Sequence, residues 1–113
     1  MEKRYTLDGV VVATDWYGRT GYIHLRIYTD EKGLQEIKKN PLQDYITFGV
    51  QSVDYVLLDV YLTEVEERDD CTIKKEYHEP IETIEEGDPS WVEEQGDDFL
   101  LDVWGTEPAV VHY

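Results

Sequence analysis

Hydrophobic and polar positions alternate with a period of two residues in the stretch from residue 22 to residue 28. Ile23, Leu25 and Ile27 are separated by polar or aromatic side chains. Because successive side chains of a strand point to opposite faces, this pattern predicts a strand whose three aliphatic residues face a core. The side chains expected on its outward face are Tyr22, His24, Arg26 and Tyr28.

The stretch from residue 53 to residue 65 gives the strongest strand signal, because both of its faces are mostly apolar. One face carries Val56, Leu58, Val60 and Leu62, and the other carries Tyr55, Leu57 and Tyr61. Such a pattern is typical of a central strand. Asp59 interrupts the second face, and we expect it to lie at a rim or to accept hydrogen bonds, since an unpaired buried carboxylate is destabilising. A general acid with a shifted pKa is the alternative for this residue.

Four further stretches indicate strands. Residues 5–14 are β-branched and free of proline, and the glycines of residues 15–21 then favour a reversing loop. Residues 42–50 predict a third strand or its approach, with a bulge at Gly49. Residues 66–70 predict a polar hairpin connection to a strand at residues 71–77, in which Ile73 and Tyr77 face one way beside Lys75. The last five residues resemble an edge strand.

Helical signals are short. Asp30 to Gly33 favours a turn, and Leu34 and Ile37 then share one face of a helix of about two turns that ends before Pro41. Asp88 and Pro89 predict the start of a second short helix that ends at Gly96. Residues 97–104 fit either a helix or a strand. Together the patterns predict a β-dominant α+β fold, in which a single antiparallel sheet or a small, partly open barrel of five to seven strands carries one or two short helices.

The length of 113 residues is enough for one hydrophobic core, so we expect one globular domain over residues 1–113. The formal net charge is −16, and its placement is uneven. Residues 1–50 carry seven acids and seven bases, whereas residues 51–113 carry nineteen acids and three bases. Adaptation to high salt would spread the acids more evenly. A large negative charge favours a cationic partner or solubility, and it argues against binding to nucleic acid or to an anionic membrane.

Residues 79–98 form an acidic segment that has nine carboxylates and no Lys or Arg. Its predicted partner-binding residues are Glu79, Glu82, Glu85, Glu86, Asp88, Trp91, Glu93, Glu94, Asp97 and Asp98, with Ile81 and Ile84 as additional apolar anchorage. A fully extended segment would carry one carboxylate per about 7 Å, against one phosphate per about 3.4 Å on a DNA strand. Imitation of DNA therefore requires a second acidic segment on the same face. The candidates are Asp54, Glu64, Glu66, Glu67, Asp69 and Asp70.

The sequence has no motif for catalysis, nucleotide binding or metal binding. Ser52 and Ser90 lack a nucleophile motif, and two aspartates before Cys71 should raise the pKa of its thiol. Three scattered histidines and acidic clusters without calcium-loop spacing indicate no dedicated metal, so we expect no enzyme and no cofactor. The single cysteine and the absence of a long apolar run favour the cytoplasm and a protein that acts unprocessed.

These features together predict a non-catalytic inhibitor whose carboxylates block the cationic nucleic-acid-binding surface of a partner, such as a nuclease. By analogy of charge and size, phage-encoded blockers of restriction or CRISPR nucleases are of this kind. An immunity protein against a nuclease toxin is an alternative. A phage structural or accessory module that uses the outward face at residues 22–28 or the C-terminal strand is another. A small-molecule enzyme or sponge would require a closed pocket. The sequence leaves the oligomeric state open.

Overall fold

A computed structural model describes residues 2–18, 20–43, 50–89 and 109–113, without the side chains of Tyr22 and Val50. It contains six strands and one helix in the described part of the chain. The elements are β1 (Glu2–Asp15), β2 (Thr20–Asp30), α1 (Glu31–Lys39), β3 (Val50–Glu67), β4 (Thr72–Glu76), β5 (Glu82–Gly87) and β6 (Ala109–His112).

All six strands belong to one curled sheet with the order β4-β3-β1-β2-β6. β5 pairs with residues 55–60 of β3, and β4 pairs with residues 63–67, so that both strands follow one another along the same side of β3. The sheet has the shape of a half-barrel, which confirms the predicted β-dominant α+β class. The pairing is antiparallel except between β2 and β6, which run parallel, so the sheet is mixed rather than wholly antiparallel.

The predicted central strand is confirmed. β3 pairs with β1 on one side and with β4 and β5 on the other. Val56, Leu58 and Val60 point into the main core, whose other members come from β1, β2, α1 and β5. The fully buried side chains include Leu7, Leu25, Ile27 and Ile37, as expected for Leu25 and Ile27, whereas Ile23 is only half-buried. The opposite face of the sheet has a smaller apolar cluster formed by Val12 and Tyr55, against which Val10 and Leu57 pack.

Gly9 allows the two longest strands to approach each other closely. A Cβ atom at this position would lie 1.8 Å from the carbonyl oxygen of Leu57, which is far inside van der Waals contact. Glycine inside a strand is typical of such an approach. The centre of β1 therefore requires a residue without a side chain.

The helix begins three residues before the predicted position. Residues 31–33, predicted as part of a turn, form the first helical turn, and the Asp30 side chain caps it by accepting a hydrogen bond of 2.8 Å from the backbone N–H of Gly33. Gly33 is buried there because Thr29 Oγ1 would lie 1.8 Å from a Cβ atom at this position. Close packing, rather than a chain reversal, explains this glycine.

Two other expectations about secondary structure can be compared only in part. In the stretch predicted as a third strand or its approach, residues 41–43 form a turn and a bend and β3 begins at Val50, while residues 44–49 lie outside the described part of the chain. Most of the predicted helix from Asp88 to Gly96 also lies outside the described part of the chain, as does the ambiguous stretch at residues 97–104. The two described residues of that helix, Asp88 and Pro89, are not helical. The C-terminal edge strand is confirmed by β6, which pairs with β2 at residues 109–112. No helix in the described ranges is long and apolar enough to cross a membrane.

Candidate partner-binding edge

β5 brings part of the acidic segment to the side of the sheet. Its register with β3 runs from Tyr55 opposite Gly87 to Val60 opposite Glu82. Because side chains alternate, Glu82 and Glu86 share the face of buried Ile84, and Glu85 points to the opposite face with Thr83. The carboxylates therefore flank the strand on both faces.

The individual carboxylates of this stretch differ in their contacts. Glu82 is half-buried and forms an ion pair with Lys38 of α1 at 3.2 Å. Glu85 accepts a hydrogen bond of 2.5 Å from the Tyr55 hydroxyl. Glu86 is exposed and forms no side-chain hydrogen bond or ion pair with another described residue, and Glu79 and Asp88 are exposed on either side of β5.

Asp54 is the one member of the second predicted segment that joins this group. Its carboxylate accepts hydrogen bonds from Thr14 Oγ1 at 2.8 Å and from Ser52 Oγ at 3.1 Å. Its carbonyl oxygen accepts a bond of 3.4 Å from the backbone N–H of Asp88, which places the two residues side by side. We define the anionic edge as Asp54, Glu79, Glu82, Glu85, Glu86 and Asp88.

The other acids of the second predicted segment do not extend the anionic edge. They surround β4, where Arg68 lies 3.4 Å from Glu66 and the Lys75 ammonium lies 5.0 Å from the centre of the Tyr77 ring. Glu64 lies opposite Lys3 of β1 and Lys75 of β4 in the sheet. This end of the molecule is therefore of mixed charge, although it lies along the same side of β3.

The charge density of the anionic edge is lower than that of DNA. Glu79 to Asp88 holds five carboxylates in ten residues. At about 3.3 Å per residue this gives one carboxylate per about 7 Å, or half the density of one DNA strand. The anionic edge can complement a basic surface, but it is not a replica of a nucleic acid backbone.

Two predicted apolar anchors have different positions. Ile84 is buried in the main core with 7% exposure, so it cannot contact a partner, and this expectation is wrong. Ile81 is 52% exposed next to β5. The remaining predicted partner-binding residues lie outside the described part of the chain: Trp91, Glu93, Glu94, Asp97 and Asp98.

The secondary patch on β2 faces away from the core, as predicted for His24, Arg26 and Tyr28. Asp8 of β1 contacts two side chains of this patch, through His24 Nε2 and through Arg26 Nη2 at 3.2 Å. The hydrogen bond with Asp8 raises the pKa of the Arg26 guanidinium above its usual value. Tyr28 stacks on His112 of β6 with ring centres 5.4 Å apart. The chain itself therefore satisfies the charges of this patch, and the Tyr22 side chain is outside the description.

The interrupting carboxylate of β3 is hydrogen-bonded, as favoured from the sequence. Asp59 Oδ1 accepts a bond of 2.8 Å from Thr83 Oγ1, and Asp59 lies opposite Asp8 in the sheet. A cavity of about 490 Å³ lies at the β4 end and is open to solvent. Its lining mixes bases such as Arg4 and Lys74 with acids such as Glu2 and Glu76, so it does not favour one charge of ligand.

The exposed aromatic residues of the β1–β2 turn were not singled out from the sequence. Trp16 is 69% exposed and Tyr17 is 87% exposed. The signal that could have found them is the spacing of Asp15 and Gly18, which is typical of a tight turn with two central residues that point outward. Two adjacent exposed aromatic side chains form a contiguous apolar patch, and such a patch is a candidate interaction site.

Among the described residues, no three His, Cys, Asp or Glu side chains are grouped so that they could hold a metal ion. No protein-family model, curated protein or solved structure matches this chain. The functional argument therefore depends on the contacts and charges of its own residues.

Proposed function

We propose that the protein is a non-catalytic inhibitor that acts in the cytoplasm and blocks the cationic nucleic-acid-binding surface of a partner protein, such as a nuclease. The observation that supports this most directly is the anionic edge. Of Asp54, Glu79, Glu82, Glu85 and Glu86, only Glu82 forms an ion pair with a base in the described part of the chain. The edge is therefore left with a surplus of negative charge.

This surplus has an energetic consequence in the free protein. Carboxylates held near one another repel, so the anionic edge destabilises the folded state unless something cationic binds to it. The chain has bases elsewhere, and Lys3, Lys74 and Lys75 lie near Glu64 at the far end of β3 rather than near β5. A partner with Lys and Arg side chains would relieve the repulsion and would be steered to this side of the sheet.

The lower charge density does not oppose this proposal. A blocker must cover the basic surface and keep nucleic acid away, and it does not have to reach every phosphate position. Lys and Arg side chains are long and can converge on carboxylates that are spaced more widely than phosphates. Complementary charge of this kind gives rapid association that weakens as salt screens it.

The test compares two variants of equal charge change. The edge variant carries Glu79→Gln, Glu85→Gln and Glu86→Gln. The control variant carries Glu67→Gln, Asp69→Asn and Asp70→Asn at the β3–β4 connection, where bases are interspersed. Each immobilised protein is incubated with extract from the native host at about 50 mM and about 200 mM salt, and duplex DNA is added as a competitor.

The proposal predicts that the wild type and the control variant retain the same nucleic-acid-binding protein at low salt, and that duplex DNA releases it. The edge variant should lose at least about tenfold in affinity for that purified protein, which corresponds to about 1.4 kcal/mol. A partner that stays bound to the edge variant, or that duplex DNA does not displace, would show that the proposed function is wrong.

A further inference from the structure

The β1–β2 turn presents two exposed aromatic side chains on a hydrogen-bonded backbone. Gly18 donates a backbone hydrogen bond of 3.1 Å to the carbonyl oxygen of Asp15, and its φ of 83° is one that glycine adopts readily. The Asp15 side chain, with 5% exposure, accepts a second bond of 2.9 Å from the backbone N–H of Tyr17. Two hydrogen bonds thus hold the turn, and its two central residues, Trp16 and Tyr17, project away from the core.

This turn lies at the same end of β3 as three members of the anionic edge, Asp54, Glu86 and Asp88. Asp15 pairs with Val50 and Thr14 pairs with Ser52, so the turn is next to the start of β3. Asp54, which binds the Thr14 hydroxyl, lies two residues further along β3 and is joined to Asp88 by a backbone hydrogen bond. At about 3.3 Å per residue and about 4.8 Å between strands, Trp16 is within about 15 Å of both carboxylates. One protein–protein interface of ordinary size covers this distance.

We propose that Trp16 and Tyr17 are the apolar anchor of the interface, and that they enter an apolar slot in the partner that is bordered by Lys or Arg side chains. Because the carboxylates of β5 flank the strand on both faces, a partner docked along this strand faces four carboxylates with its bases. These are Asp54, Glu85, Glu86 and Asp88. The cationic character of the partner rests on the proposed function, whereas the position of the anchor is a separate claim. Exposed tryptophan and tyrosine are among the residue types that contribute most at interfaces, because they bury a large area with little loss of side-chain freedom.

The negative charge near the turn favours a protein partner over a membrane surface. Tryptophan and tyrosine also favour the surface of a membrane, but anionic lipid would be repelled by the carboxylates beside this turn. A protein slot with a basic border complements both features at once. The interface therefore has two parts. The apolar contact of Trp16 and Tyr17 should be insensitive to salt, and the contact between carboxylates and bases should weaken as salt is added.

The experiment places a photo-reactive phenylalanine derivative, one position at a time, in place of Trp16, Glu85 and Ile73. Ile73 of β4 is 39% exposed at the other end of the sheet and is the control. After irradiation in the native host, the cross-linked polypeptides are identified by mass spectrometry. The polypeptide joined to position 85 is then purified, and its affinity for Trp16→Ala, Tyr17→Ala and Ile73→Ala variants is measured at about 50 mM and about 200 mM salt.

The proposal predicts that positions 16 and 85 cross-link to the same polypeptide and that position 73 does not. Trp16→Ala should weaken binding at least about tenfold at both salt concentrations, with unchanged thermal unfolding, and Ile73→Ala should change it less than about twofold. Cross-linking from position 85 without any from position 16, or a Trp16→Ala affinity within about twofold of wild type, would overturn the anchor and leave the proposed function intact. Cross-linking from position 16 but not from position 85 would overturn the combined interface. An absence of adducts from both positions would contradict the proposed function itself.

Discussion

At the scale of single residues, the Tyr5 hydroxyl makes the contact with the clearest dependence on pH. Tyr5 is 7% exposed and donates a hydrogen bond of 2.5 Å to Glu31 Oε2, at the start of α1. This bond, burial and the nearby Glu31 charge raise the pKa of Tyr5 to about 12. The same bond, together with one from Gln35, lowers the pKa of Glu31. The phenol and the carboxylate thus hold the first turn of the helix against β1.

We expect Tyr5→Phe to lower the free energy of unfolding by about 1 kcal/mol at neutral pH, because a hydrogen bond to a carboxylate is lost. The contribution of the bond is complete below pH 10, where Tyr5 is protonated in both states, and it disappears as the pH rises towards 12. The difference between wild type and variant should therefore shrink over that range. Urea unfolding at several pH values measures it, with Tyr61→Phe as the control. A difference that stays constant with pH would contradict this assignment.

Two glycines of β1 and its turn should respond differently to replacement by alanine. Gly9→Ala puts a Cβ atom 1.8 Å from the Leu57 carbonyl oxygen, so β1 and β3 must move apart. We expect a loss of about 3 kcal/mol or more, or failure to fold. Gly18→Ala meets no atom within 4 Å, and its φ of 83° should reduce stability by only about 1 kcal/mol. Chemical unfolding of both variants tests this order, and equal losses would contradict it.

At the scale of elements, the stability of α1 depends on side chains at its two ends. The Asp30 carboxylate accepts the Gly33 N–H, and Lys38 and Lys39 lie in the last turn, where they complement the helix dipole. We expect Asp30→Ala to lower the free energy of unfolding by about 1 kcal/mol, whereas Asp30→Asn should retain most of the cap. Thermal unfolding of both variants measures the difference. If the two variants lose the same stability, the cap does not depend on the side-chain oxygen.

The alternation of side chains was sufficient to predict β2 and the central position of β3, because alternate residues in the middle of each strand are buried. It was not sufficient to predict that β2 and β6 run parallel. That pairing depends on the path of the chain between Asp30 and Ala109, and period two is the same for both directions. Gly33 misled the helix prediction for a related reason, since glycine can mark either a turn or a close contact.

The sequence predicted only the part of the candidate site whose acids lie close together along the chain. The lack of bases after Lys75 indicated an acidic surface, and β5 supplies part of it. The joining of Asp54 to this surface and the pairing of Lys38 with Glu82 depend on tertiary contacts between residues more than thirty positions apart. The aromatic turn was missed because a single Trp-Tyr pair has no periodicity.

At the scale of the whole molecule, the uneven charge of the sequence becomes a partial separation in space. The longest principal axis extends over 52 Å, close to the length expected of an 18-residue strand in a curled sheet. Bases such as Lys3, Lys74 and Lys75 gather near one end of β3, while Asp54, Glu86 and Asp88 lie near the other. Lys3 and Lys75 thus lie beside Glu64 of β3, whereas in the described part of the chain β5 is reached by one base, Lys38.

This separation predicts that two glutamates of the same strand contribute to stability with opposite sign. Glu82 and Glu86 share one face of β5, but among the described residues only Glu82 has a base within 3.2 Å. At low salt, Glu86→Gln should raise the free energy of unfolding by about 0.5 kcal/mol because repulsion decreases, whereas Glu82→Gln should lower it by a similar amount. Both differences should vanish near 1 M salt, where the screening length is about 3 Å. Thermal unfolding across a salt series measures them. If Glu86→Gln is no more stable than wild type at low salt, the anionic edge carries no repulsion for a partner to relieve.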